Sequence, residues 1–249
     1  MKTFNVMKKL ALGVALTGLF VWQAGAIVAY NYPSTLAAAQ PDPGPYSLGD
    51  VFAVTTPISV TALGAFDPSG ASFGPVGVEV AIYNITTGVV GGTLVTPVVS
   101  FSGTQSLLPS TSTAMTAINP VTLGPGIYMV VANNYGAAGA LQDYNPAWEN
   151  GTYPGSPSHT GPNGASANDA YGVIFVPGGG YFQSSSALGS TLGGSWTFDN
   201  YYALSAPRYG AGNFDFTAVP EAASFALAAV ALLGLVYVGR AYSQKLKLA

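Results

Sequence analysis

The sequence predicts an all-β body, an antiparallel sandwich of jelly-roll type, set between an N-terminal signal helix and a single C-terminal transmembrane helix. Three observations carry that expectation. Short runs of Val, Ile, Thr, Phe and Tyr recur from residue 46 to 218, separated by Gly, Pro, Asn and Asp, which is the texture of strands and turns. No stretch between the two ends repeats apolar residues at helical spacing. Both ends are instead uncharged apolar runs with cations beside them.

The N-terminal end reads as a secretory signal, residues 1–26. Lys2, Lys8 and Lys9 precede the apolar run 10–22, and Ala24 and Ala26 supply the small-residue exit. The run is shorter than the roughly 20 residues that cross a bilayer, so cleavage is expected rather than a retained anchor. Ala26 is the favoured last residue of the signal, with Ala29 second.

Residues 27–45, rich in Pro and Ala from Asn31 onward, read as a lead-in to a domain spanning 46–218. Strands are expected at 51–55 and 58–66, with a turn at Asp67-Pro68-Ser69-Gly70. Along 76–83, Val76, Val78, Val80 and Ile82 alternate with Gly77, Glu79, Ala81 and Tyr83, the period of a strand with one buried face. Further strands are expected at 93–100, 117–123 and 127–133, the last two joined by Gly124-Pro125-Gly126. The Gly/Pro/Asn-rich stretch 136–169 reads as one long loop. Strands then resume at 171–176, 196–204 and 213–218.

The C-terminal end has three parts. Val219-Pro220-Glu221 precedes the uncharged apolar run 222–239, and Arg240, Lys245 and Lys247 follow in the tip, 240–249, which holds no acid. At about 1.5 Å rise per residue the run just spans a hydrocarbon core. Cations on one flank hold that flank in the cytoplasm, so the body is expected outside. Pro220 stops the helix from extending upstream and keeps the preceding chain extended.

This tail resembles the PEP-CTERM sorting signal of Gram-negative, exopolysaccharide-producing bacteria. The resemblance covers about the last thirty residues. Val219, Pro220 and Glu221 match the opening of the motif; Ala222 stands where a second proline is usual, and the tip carries one arginine and two lysines rather than an arginine cluster. The resemblance implies an exosortase-class membrane protease as partner and a precursor held briefly in the inner membrane. The body would then be delivered to the cell surface or the extracellular matrix. Pro57-Ile58-Ser59-Val60-Thr61-Ala62-Leu63-Gly64-Ala65-Phe66-Asp67 and Leu123-Gly124-Pro125-Gly126-Ile127-Tyr128 look like core strands of a jelly-roll module common in such proteins. No catalytic role is attached to them.

Charge narrows the function. Between the two ends only Arg208 is basic, against nine acids, Asp42, Asp50, Asp67, Glu79, Asp143, Glu149, Asp169, Asp199 and Asp215, which leaves the body near −8. Nucleic acid is excluded as a partner, because phosphates demand Lys and Arg. With one histidine, His159, and no cysteine, neither a His-assisted nucleophile nor a zinc site of familiar spacing is expected. No cofactor is expected. Among divalent cations, calcium suits the acidic body, although no D-x-D-x-D-G loop is present. The expected role is non-enzymatic, structural or adhesive within an exopolysaccharide layer. Two other readings are a glycan-binding module, for which Trp148, Tyr153 and Trp196 are the candidate contacts, and a secreted carbohydrate-active enzyme using a carboxylate pair such as Glu79 and Glu149.

Overall fold

Ile58–Phe66 forms a strand with the bounds expected from sequence, and its apolar side chains Ile58, Val60, Leu63, Ala65 and Phe66 are buried in one core. The rest of the body is built in the same way. The computed structural model describes residues 25–31, 40–42, 46–67, 72–109, 111–135, 143–145, 158–160, 166–168, 170–184, 187–198 and 211–219. In chain order the strands are β1 (Ile27–Val28), β2 (Tyr30–Asn31), β3 (Gln40–Asp42), β4 (Tyr46–Val54), β5 (Ile58–Phe66) and β6 (Val78–Asn84). They continue as β7 (Thr93–Leu94), β8 (Val99–Phe101), β9 (Thr113–Leu123), β10 (Gly126–Tyr135) and β11 (Asp143–Asn145). The last are β12 (Ser158–Thr160), β13 (Ser166–Asn168), β14 (Val173–Ser184), β15 (Thr197–Phe198) and β16 (Gly212–Ala218).

Two antiparallel sheets carry the architecture. One has the order β1-β16-β5-β9; the other has the order β15-β14-β4-β10-β6-β7, with β8 also paired to β6. Tight connections cross between them, from Val54 to Ile58 and from Leu123 to Gly126. A single apolar cluster draws on both sheets, with Val60, Leu63, Phe214 and Phe216 from the first and Leu48, Phe52, Val80, Val130 and Phe175 from the second. The fold is therefore all-β and sandwich-like, with the core between the facing sheets. Phe52 and Phe214 meet across that core at 4.8 Å between ring centroids.

Part of the larger sheet is buried on both faces, which the alternation along 76–83 does not suggest. Val78, Val80 and Ile82 face the central core as expected, but Ala81 and Tyr83 join Val51, Met129 and Val131 in a second apolar cluster on the outer face. Leu188, Leu192 and Trp196, from the segment before β15, pack against that cluster. Tyr83 donates its hydroxyl to the Gly189 carbonyl at 2.9 Å, which ties this cover to the sheet. Val76 lies in a turn before β6 and is exposed, so the strand begins two residues later than its pattern indicates.

Irregularities sit where the sequence is least strand-like. β14 bulges between Phe175 and Gly180, opposite the single residue Val51 that separates their partners Phe52 and Asp50; the inserted residues 176–179 are Val-Pro-Gly-Gly. β9, at the edge of its sheet, bulges opposite Thr61 and carries Pro120 within the bulge, which blunts an otherwise open edge. Two further differences from expectation concern segments read as irregular. β1 lies within the stretch read as a lead-in, pairing Ile27 with Phe216 and Val28 with Asp215. The stretch read as one long loop contributes β11, β12 and β13, which pair with β3, with one another and with β2. Among the described residues no helix is long and apolar enough to cross a membrane, and the expected helices at 10–22 and 222–239 lie outside the described residues.

Candidate functional site

The chain enters and leaves the body side by side. β1 and β16 run antiparallel with Ile27 opposite Phe216, so Ala26 and Thr217 lie toward the same end of the sheet. Ala26, the expected last residue of the signal, is exposed in irregular backbone immediately before β1. Val219, the first residue of the sorting motif, follows directly after β16. Pro220, Glu221, Arg240, Lys245, Lys247 and Ala24 lie outside the described residues, as do Trp148 and Tyr153.

The segment after Ala26 is anchored in depth. Ala29 and Tyr30 are fully buried. The Asn213 side chain, itself buried, accepts from the Tyr30 N–H at 2.9 Å and donates to the Tyr30 carbonyl at 2.7 Å, so it pairs with the backbone of that residue as a strand would. Its oxygen also accepts from Phe214 N–H at 2.9 Å, while Ala29 N–H donates to the Phe214 carbonyl at 2.8 Å. Tyr30 then reaches into the core, where its ring lies 4.6 Å from that of Phe175 and its hydroxyl donates to Asp50 Oδ2. None of these three polar side chains stands out in sequence. A buried Asp in a strand is indistinguishable there from a surface one.

Other candidate chemistry is dispersed. Among the described residues no three His, Cys, Asp or Glu side chains gather as a metal site would require. His159 contributes backbone to β12, opposite Ala167. Glu79 accepts from the Asn133 amide at 3.3 Å, and the Asn133 oxygen accepts from the Ser47 hydroxyl at 2.8 Å. This polar row lies on the outer face of the larger sheet. Glu149, the carboxylate that would pair with Glu79, lies outside the described residues. Trp196 is half-buried against the outer cluster, with its indole N–H buried and lacking a hydrogen-bond partner. Burial raises the Asp215 carboxyl above its ordinary value, and Tyr83 is pushed up to about 12, chiefly by burial and further by the negative charge of Glu79.

No family model and no curated protein matches the chain. Among solved structures, the one described as "Structure of infectious bursal disease virus Gt strain" is similar at 14% identity and a TM-score of 0.18. That match covers 80% of this chain but 43% of the other, so this chain spans less than half the length of that protein. Similarity at that level carries no argument about fold or function.

Proposed function

We propose that the chain is an exported bacterial protein, sorted and cleaved through its C-terminal tail, whose body serves a structural or adhesive role in an exopolysaccharide layer at the cell surface or in the matrix. The observation that carries this reading is the three-part tail: Val219-Pro220-Glu221, the uncharged run 222–239 and the basic tip with Arg240, Lys245 and Lys247. An exosortase-class protease of the inner membrane is the partner that such a tail implies. The signal-like N-terminus and a body almost free of cations support the reading, since both suit an exported protein that meets neutral glycans rather than nucleic acid. For the fold we propose a jelly roll, supported by the chain's repeated crossing between sheets and by the pairing of β1 with β16 beside β5.

The test is fractionation of cells making the full chain or a variant carrying both Pro220→Ala and Glu221→Gln. The native chain should reach the surface and matrix fractions, and the variant should stay in the inner membrane. Equal delivery of both would remove the motif from the account.

A further inference from the structure

Four of the five large apolar side chains that stay exposed among the described residues gather at one end of the sandwich. Ile127 is 41% exposed, Ile174 48%, Tyr171 38% and Val90 71%. Ile174 and Ile127 are both registered against Ala53 of β4, on the two strands that flank it. They form one row on the outer face, next to the covered pair Val51 and Met129. Tyr171 precedes β14 at the same end, its ring edge-on to Phe216 at 6.4 Å. Val90 lies in the loop that follows β6, whose last residue Asn84 is registered with Tyr128. Exposed apolar side chains gathered at one end of a sandwich suit an interaction surface.

This is also the end at which the chain enters and leaves. Ala218 is registered with Ile58, and Ile58 with Leu123. Short crossovers then join Ile58 to Val54 and Leu123 to Gly126, which places the end of β16 at the same end as the start of β10. From Ala218 to Ala222, where the apolar run begins, the chain reaches at most about 14 Å even when fully extended. With the run in a bilayer, a link this short keeps the end of β16 within about 14 Å of the start of the span. Among the described residues of segments 55–58, 84–91, 123–127, 170–174 and 216–219 there is no charged side chain, so attraction to anionic head groups has nothing to act on. Apolar and tyrosyl side chains are the ones that settle at a bilayer interface.

We infer that this end of the sandwich, with Ile127, Tyr171 and Ile174 at its centre, is a docking surface for the neutral interface of the bilayer that holds the chain's own tail. The inference rests on the reading of 222–239 as a membrane span. Docking positions Val219-Pro220-Glu221 at a fixed height above the membrane, within reach of a protease embedded in it, and cleavage frees the surface again.

The chain has no cysteine, so Ile127→Cys, Ile174→Cys and Val76→Cys each accept a single environment-sensitive fluorophore. Val76 is equally exposed, at 54%, but precedes β6 at the opposite end. Each labelled full-length chain is reconstituted into phosphatidylcholine vesicles containing nitroxide-bearing lipid, and flotation with the vesicles is recorded alongside quenching. The expected result is flotation of all three chains, with at least twice as much quenching at 127 and 174 as at 76, unchanged in high salt. Flotation with equal quenching at all three positions would overturn the docking surface and leave the membrane span standing. Shielding from water that depends on protein concentration, without lipid quenching, would assign the surface to a second copy and overturn it likewise. Chains that do not float would overturn the span, and the docking surface with it.

Discussion

Tyr30 donates its hydroxyl to the Asp50 carboxylate in the interior of the sandwich, where both residues are fully buried. The contact joins the fourth residue after the expected signal cleavage point to a central strand of the larger sheet. A carboxylate in an apolar core is costly unless hydrogen-bonded, so the N-terminal segment is part of what makes Asp50 tolerable there. Tyr30→Phe keeps the ring packed on Phe175 and removes that donor. It should cost about 1–3 kcal/mol, a fall of several degrees in Tm, measurable by thermal unfolding of the body. An unchanged Tm would mean that other partners of Asp50 carry the satisfaction.

Asn213 holds the same segment through its backbone. Replacing it by Ala removes three hydrogen bonds in a buried site, so Asn213→Ala should loosen residues 27–30 before the remainder unfolds. Hydrogen exchange at Ala29 and Phe214 should accelerate well beyond exchange at Val130. Uniform acceleration across the body would show that Asn213 stabilises the whole sandwich rather than this junction.

Asp215 gives the body a pH dependence of definite sign. Burial raises its carboxyl above the ordinary value, so the folded state binds the proton more tightly than the unfolded chain does. Its contribution is therefore fully present below the unfolded pKa and is lost as pH rises through the raised folded value. Asp215→Asn should flatten the decline of Tm with rising pH through the carboxylate range, relative to the native chain. A parallel displacement of the two curves would assign the effect to the lost side-chain geometry instead.

The outer cluster depends on its cover. Leu192 is buried in the same cluster as Val51, Tyr83 and Met129. Leu192→Ala should cost about 2–4 kcal/mol by the loss of buried methyl groups and should increase binding of a hydrophobic dye. Stability equal to the native chain, with no dye binding, would show that the segment 187–198 does not seal this face.

What was legible in sequence was the local alternation. β5, β10 and β16 fall within one or two residues of their expected bounds because their apolar residues recur at period two between clear turns. The double burial of the larger sheet was not legible, because Ala81 and Tyr83 read as the polar face until Leu188, Leu192 and Trp196 arrive from a segment more than a hundred residues downstream. β1 is not legible for a related reason. Two residues carry no period, and their pairing is decided by β16 at the far end of the chain. Of the candidate site residues, Trp196 proves to be part of that cover, packed against the outer cluster, and the tail motif is legible only as sequence.

The intact mass of the protein recovered from native envelope and matrix fractions tests the proposed export and sorting most directly. The matrix species should begin at Ile27, since cleavage after Ala29 would remove β1 and the buried Ala29, and should end near Glu221. A species in the inner membrane that retains residues 222–249, with none of it in the matrix, would contradict sorting and leave a plain tail-anchored protein.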